Sequence, residues 1–301
     1  MKSISILIPT FNDACLKLVT DLHKQAERIS ETAGGTFEYE ILVGDDGSTD
    51  TSAMAENEKI NGLSRCRYIR RERNEGRSAI RNFLSSQARY DYLLFIDSDM
   101  TVRSDAYLAT YVEAPDSDVI YGGYVVNGDY DKLKHNLRYL YECRNRANSN
   151  AEERRKQPYS NFNTKNFVVR KSLFIACPLD VRFHKYGYED VLWGKTLREK
   201  NIRIEHIDNT LSTENFESND AFVAKTEEAM TTLHEFRDEL RGYSNVIATA
   251  ETISRRHLKP LFLLLYKPCR QHLKKLLISN KPSVFLFNIY KLGYYLMKTE
   301  E

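Results

Sequence analysis

The 301-residue chain has few cysteines, one tryptophan and no long apolar run. Cys15, Cys66, Cys143, Cys177 and Cys269 are scattered, odd in number and form no Cys-x-x-Cys pair. That argues against a disulfide framework and a zinc ribbon, and fits a reducing cytoplasm. No stretch reaches the roughly 18–20 uninterrupted apolar residues of a membrane-spanning helix. The longest candidates, residues 261–266 and 284–297, are too short or are broken by Asn288 and Lys291. Met1 and Lys2 lead straight into residues 4–8, too short for the apolar core of a secretion signal, so neither a leader nor a span is expected. Internal repeats and low-complexity linkers are absent. No charge sign dominates either: 44 Lys and Arg against 42 Asp and Glu leave +2, so the whole molecule is no polycation and no nucleic-acid partner is expected. The remaining composition, 42% hydrophobic and 29% charged, is that of a globular protein with one large domain plus an appendage, or two small domains.

Strand and helix patterns alternate through the first hundred residues. Residues 3–8 form a β-branched run stopped by Pro9, which predicts a buried strand. Asp13 is placed to cap a helix with Leu16, Leu18, Val19, Leu22 and Ala26 on one side, broken at Gly34-Gly35. Residues 39–43, 67–69 and 92–96 predict further strands, with helices over 50–59 and 76–88. Such alternation gives βαβ units around a parallel sheet, with ligands at the carboxyl ends of the strands. Beyond Asp99 the pattern loosens. Residues 119–126, 167–170 and 202–207 read as strands, and 132–148, 189–200 and 220–240 as helices. The expected fold class is α/β, a single Rossmann-like, mostly parallel central sheet flanked by helices, with a basic helical C-terminal extension.

Every distinctive polar cluster of the first half follows a strand: Pro9-Thr10-Phe11-Asn12, Asp45-Asp46-Gly47-Ser48, Asn74-Glu75-Gly76 and Asp97-Ser98-Asp99. Polar turns follow strands in any α/β protein. Four in succession, two with paired carboxylates, point to a site along one edge. If the backbone is extended at Asp97-Ser98-Asp99, both carboxylates share a face and can hold one hard divalent cation, while small Ser98 lets a phosphate ligand approach. The alternative is a turn that caps the next helix. Asp45 and Asp46 repel each other unless something binds them; one can accept from a pyrimidine N–H or a ribose hydroxyl, while Ser48 or Asp50 caps the following helix. Glu189-Asp190 stands at a predicted helix start, favoured there by the helix dipole or serving as a general base. His23, His135, His234, His257 and His272 read as surface or helix residues; His184 and His206 lie nearer the acids and read as structural.

Taken together, SILIPTFN, VGDDGSTD, NEGRSAIRN, LLFIDSDM and GYEDVLWG resemble, in order and spacing, the inverting family 2 glycosyltransferases of GT-A fold, over about residues 3–240. The resemblance implies a catalytic domain over 1–245, with a nucleotide-binding half (1–100) and an acceptor half (101–245), and an extension over 246–301. It implies Pro9, Thr10 and Asn12 lining the nucleotide pocket, Asp45 and Asp46 on base and ribose, and Asn74, Gly76, Arg81 and Asn82 beside the nucleotide. Asp97 and Asp99 would hold Mn2+ or Mg2+ with Ser98 against the donor. Asp190, with Glu189 beside it, would be the catalytic base. A UDP-sugar donor, a glycan or lipid-linked acceptor hydroxyl and inversion by single displacement, in polysaccharide or glycoconjugate biosynthesis, are implied as well. Relatives often place a metal-binding histidine near residues 211–217, where this chain has Thr213; Glu214 or water would take its place. Lys165 and Asn166 are either acceptor-side contacts or a surface turn. Three rivals stand beside this reading, of which nucleic-acid binding through the basic tail is set aside because nothing in the chain suggests base readout. A nucleotidyltransferase would carry a Gly-rich basic loop after the first strand, which PTFNDACLK lacks; a degenerate, non-catalytic nucleotide-sugar-binding protein is kept in play by Thr213.

From about Ser254 the chain mixes Lys and Arg with Leu, Phe and Tyr, and Pro260, Pro268 and Pro282 cut it into short pieces. Two expectations follow for residues 255–298. Either they lie on an anionic membrane surface, giving a cytoplasmic protein peripheral on the inner face of the cell membrane, or they pack on the catalytic domain or form a homodimer interface.

Overall fold

The computed structural model describes residues 3–34, 36–144 and 150–300. Met1, Lys2, Gly35 and residues 145–148 of the helix predicted over 132–148 lie outside the described residues. Ten strands are described: β1 (Ile4–Thr10), β2 (Tyr39–Asp45), β3 (Cys66–Arg70), β4 (Tyr92–Ile96), β5 (Met100–Thr101), β6 (Val119–Tyr121), β7 (Tyr124–Val126), β8 (Asn166–Arg170), β9 (Ile204–His206) and β10 (Leu211–Thr213). The described helices are α1 (Leu16–Thr32), α2 (Thr51–Glu58), α3 (Arg77–Gln87), α4 (Tyr107–Glu113), α5 (Tyr130–Leu133), α6 (Leu137–Arg144), α7 (Ala151–Arg155), α8 (Lys171–Ala176), α9 (Glu189–Glu199), α10 (Asn219–Glu235), α11 (Asn245–Arg255), α12 (Lys259–Ile278) and α13 (Val284–Lys298). They fall into two compact units, Met1–Val125 with Ala147–His184 and Trp193–Glu214, and Val126–Arg146 with Lys185–Leu192 and Asn215–Glu301.

The first unit is built on a seven-stranded sheet of order β3-β2-β1-β4-β8-β6-β9. The four leading strands are parallel; β8 runs antiparallel to both β4 and β6. Side chains of a strand alternate between faces, and here both faces are apolar. Ile4, Ile6, Ile8, Ile41, Val43 and Leu94 pack on one side with Leu18, Val19, Leu22 and Ala26 of α1. Leu7, Leu42, Leu93, Phe95 and Phe167 pack on the other with Leu84, Phe174, Trp193 and Leu197. Each such side chain removed from water contributes about 1.5–3 kcal/mol before the entropy of ordering it. Both faces covered is what the near-continuous apolar runs required.

Several local expectations are corrected. β1 does not stop at Pro9 but runs through it to Thr10, paired with β2 up to Thr10↔Asp45. Ile4 N–H and Thr10 C=O bond towards β2, so the intervening odd positions face β4, where pairing ends at Leu7↔Phe95. Pro9 therefore lacks an N–H where no ladder bond exists. Asp13 does not cap α1, whose N-cap is Cys15 without a side-chain cap bond; the Asp13 carbonyl instead accepts from Thr10 Oγ1 and Asn57 Nδ2. The single strand expected over 119–126 is split at Gly122-Gly123. A Cβ on Gly122 would lie 2.3 Å from the Tyr111 hydroxyl, and Gly123 has φ +79°, so the bend needs both glycines. The described part of the helix expected over 132–148 is two short helices, α5 and α6.

In the second unit α10, α12 and α13 pack together with α6 and α11. Phe222 stacks on Phe287 at 5.1 Å, and Tyr141 meets Phe287 edge-on at 5.2 Å. Glu227 accepts from the Tyr290 hydroxyl and from Lys274. Pro268 does not divide the tail: α12 passes through it and runs for 20 residues. Packing of the Leu263 and Tyr266 side on neighbouring helices supplies what the lost hydrogen bond removes. Among the described residues no helix is long and apolar enough to cross a membrane.

Candidate functional site

The strand ends of β3, β2, β1 and β4 are neighbours in one parallel array, so four of the five polar clusters share one edge of the first unit. Asn12, at φ +53°, staples two of them. Its amide N–H donates to Ser48 Oγ (2.7 Å), and its side-chain oxygen accepts from the N–H groups of Thr49 (2.7 Å) and Asp50 (2.9 Å). Asp50 in turn caps α2, accepting from Ser52 and Ala53. Phe11 stands beside this staple with 47% of its surface exposed. It belongs to the Pro9-Thr10-Phe11-Asn12 cluster, in which the sequence alone assigns it no role.

Asp45 is fully buried and accepts from Ser48 N–H (2.7 Å) and from the Tyr68 hydroxyl. Asp46, also buried, accepts from Gly76 N–H (2.8 Å), Glu75 N–H (3.2 Å) and Arg71 Nη1 (3.1 Å). Burial raises its carboxyl above the ordinary range despite these donors. The repulsion expected between the two acids is thus relieved inside the protein, Asp45 by a phenol and Asp46 by a guanidinium and two amides. Arg71 also pairs with Glu75, whose carboxyl is held low by Arg73 and Arg71. Gly47 is obligatory, because a Cβ there would meet the Arg73 carbonyl carbon at 2.5 Å. Asn74 accepts from Gly76 N–H, and Gly76, at φ +95°, opens α3.

Asp97-Ser98-Asp99 is not extended. Met100 N–H donates to Asp97 C=O (3.1 Å), making a tight turn that launches β5 into a second sheet of order β5-β10-β7. The shared-face expectation is corrected accordingly: the turn, not strand alternation, sets the directions of the two carboxylates. Asp97 N–H donates to Lys165 C=O (3.1 Å), and its carboxylate pairs with buried Arg81, which also donates to Arg77 C=O. Asn82 is brought to a different place. Its amide exchanges two bonds with the backbone of Leu179 (2.8 and 3.1 Å) and fastens α3 to that segment.

Thr213 stands opposite Met100 in the β5–β10 pair, fully buried, its hydroxyl 3.8 Å from the Met100 sulfur. Glu214 follows and accepts from Arg103 Nε at 2.6 Å. Among the described residues no three His, Cys, Asp or Glu side chains gather into a metal-holding group. Asn166 is no surface turn: it accepts from the hydroxyls of Tyr107 (2.6 Å) and Tyr111 (2.8 Å) and donates to Gly123 C=O and Asn209 C=O. All four bonding positions of its amide are taken. Lys165 lies over the Tyr124 ring at 3.9 Å. His206 is buried against Pro158 C=O, and desolvation lowers its pKa to about 4. His23, a helix residue of α1, is buried as well, 3.0 Å from the Tyr39 hydroxyl.

The remaining cluster belongs to the second unit. Gly187 (φ +102°) and Tyr188 (φ +71°) turn the chain into α9, whose first residues are buried Glu189 and half-buried Asp190. Asp190 Oδ1 accepts from Val191 N–H at 2.8 Å. A left-handed Tyr is costly, and desolvation pushes its phenol above the ordinary tyrosine range.

A seven-stranded mixed sheet whose first four strands are parallel, flanked by helices and carrying the Asp97-Ser98-Asp99 turn at the end of its fourth strand, is an α/β fold of GT-A type. Residues 5–177, more than half of the chain, match Glycosyl transferase family 2, and the chain belongs to that family. It is 29% identical over 132 residues to the poly(ribitol-phosphate) beta-N-acetylglucosaminyltransferase TarP of Staphylococcus aureus, covering 42% of this chain and 38% of that protein. It is 28% identical over 142 residues to the glycosyltransferase GlyG of Streptococcus pneumoniae, covering 46% and 43%. These matches span less than half the length of either relative. Among solved structures, S. aureus TarS residues 1–349 with UDP-GlcNAc superposes with a TM-score of 0.53 at 16% identity, covering 99% of this chain and 90% of that one. The mannosyltransferase PcManGT of Pyrobaculum calidifontis with GDP-Man and Mn2+ gives 0.55 at 12% identity, covering 99% and 86%. At these identities the superpositions speak for the fold.

Proposed function

We propose that the chain moves a sugar from a nucleotide-diphosphate donor, a UDP-sugar in the first instance, to a hydroxyl of a glycan or lipid-linked acceptor, with inversion. The observation that carries this reading is the alignment of four parallel strand ends along one sheet edge, with the Asp97-Ser98-Asp99 turn at the end of β4. TarS was captured with UDP-GlcNAc and PcManGT with GDP-Man and Mn2+, which supports a nucleotide sugar and a divalent cation here too.

In this reading Phe11 stacks on the base, and the Asn12 staple with the Asp46–Arg71 pair fixes the loops around it. Asp97 and Asp99 would hold Mn2+ or Mg2+, which would neutralise charge on the departing diphosphate. Two carboxylates with no third His, Cys, Asp or Glu gathered beside them among the described residues fit a cation that arrives with the substrate phosphates, since such ions are commonly bound by one or two carboxylates plus phosphate oxygens. Asp190 takes the proton of the acceptor hydroxyl as that oxygen attacks the anomeric carbon and the bond to the diphosphate breaks. Buried Thr213, in place of a ligand, favours a second reading, a protein that binds nucleotide sugars without transferring them.

A donor panel tests both. UDP-, GDP- and dTDP-sugars are incubated with the protein and Mn2+, and nucleotide release and protection against unfolding are measured. Release with at least one donor is expected. Protection without release favours the second reading, and neither signal with any donor overturns both. Asp190→Asn should retain donor protection while transfer falls about 10²–10⁴-fold. Mn2+ followed by electron paramagnetic resonance should bind only when UDP is present, and Asp99→Asn should abolish that binding.

A further inference from the structure

Among the exposed large apolar side chains of the described residues, four leucines gather at the start of one helix. α12 buries Leu263, Tyr266 and Leu277 within the second unit and turns the opposite side outward. Leu258 at its N-cap, then Leu261, Leu264 and Leu265, are 46%, 55%, 70% and 65% exposed. Spacings of three and four put them on one stripe, which continues through exposed Pro268, His272 and Lys275. Arg255 and Arg256 are exposed just before it. Residues 252–299 hold ten Lys and Arg and no acid.

We propose that this face of α12 docks on an anionic lipid bilayer, with the leucines in the headgroup–acyl boundary and the flanking Arg and Lys on lipid phosphates. An interfacial helix needs an apolar strip bordered by cations, and this face carries both. A second copy of the chain is disfavoured as occupant, because a two-fold contact would set Arg255, Arg256 and Lys275 against their own like charges. The proposal stands independently of the sugar-transfer reading.

The full chain is sedimented with vesicles of phosphatidylcholine alone and of phosphatidylcholine mixed with phosphatidylglycerol. Binding to the anionic vesicles only is expected. Leu264→Ser with Leu265→Ser should lower the partition coefficient at least about tenfold, and Arg255→Gln with Arg256→Gln should lower it less. Both pairs are exposed, and an unchanged unfolding temperature verifies that the variants fold. No pelleting with anionic vesicles, or equal pelleting of wild type and the leucine variant, overturns the proposal. Self-association that disappears in the leucine variant, without vesicle binding by the wild type, assigns the face to a second copy and overturns it as well.

Discussion

Arg81 is among the largest fully buried side chains, and its guanidinium meets Asp97 while Nε finds no partner. A buried cation of this kind is costly to desolvate and is retained by what it faces. Arg81→Met should leave the Asp97 carboxylate without its counter-charge and reduce stability by about 3–5 kcal/mol, read from the urea midpoint. His206 makes a pH-dependent prediction. Its folded pKa of about 4 lies below the unfolded value of 6.5, so the folded ring stays neutral where the unfolded chain takes up a proton. The resulting stability is present above pH 6.5 and is lost as pH falls towards 4, at about 1.4 kcal/mol per unit at most. His206→Gln should flatten that part of the stability–pH curve; an unchanged slope would remove the assignment. At this scale the acids of the strand-end clusters were legible, because carboxylates after apolar strands are unusual enough to notice. The job of Asn166 was not, since it depends on Tyr107 and Tyr111, which lie far away along the chain.

Elements were legible where the local pattern alone decides them. β4 occupies the residues its apolar run marks, and Asp50 caps α2 as its position before the helix implies. Elements shaped by distant partners were not. The bend between β6 and β7 is dictated by the Tyr111 hydroxyl and the Asn166 amide, and the 97–100 turn by the pairing of β5 with β10. α12 survives Pro268 because its neighbours hold it. Gly293 of α13 approaches α12 closely: a Cβ there would lie 2.3 Å from the Tyr266 ring. Alanine favours a helix over glycine by about 1 kcal/mol, but overpacking costs about 1–3 kcal/mol, and the Tyr266 hydroxyl is fixed on Tyr290 C=O. Gly293→Ala should therefore destabilise the protein, measured by thermal unfolding, despite its better propensity.

Across the whole molecule a net charge of +2 conceals an asymmetry. Residues 252–299 carry +10, while the remaining 34 Lys and Arg face all 42 acids and leave −8 elsewhere. Near its isoelectric point the protein should still be held by both cation and anion exchangers at low salt. It should leave both as ionic strength passes roughly 0.15 M, where the screening length falls to about 8 Å. Free passage through the cation exchanger would contradict a basic surface. The sheet was legible as parallel from the spacing of its first four strands. The insertion of β8 between β4 and β6 was not, because nothing near residues 166–170 states which strands they join.

That insertion has a consequence for the chain as it leaves the ribosome. The first four strands can associate once Ile96 is made, but the open edge of β4 waits for Asn166–Arg170, and β6, synthesised earlier, has no place in the sheet until β8 arrives. During that interval the nascent protein exposes an apolar strand edge of the kind that recruits other chains. Ribosomes stalled between these two points should yield a species that chaperones retain, and release should begin only when the eighth strand has emerged.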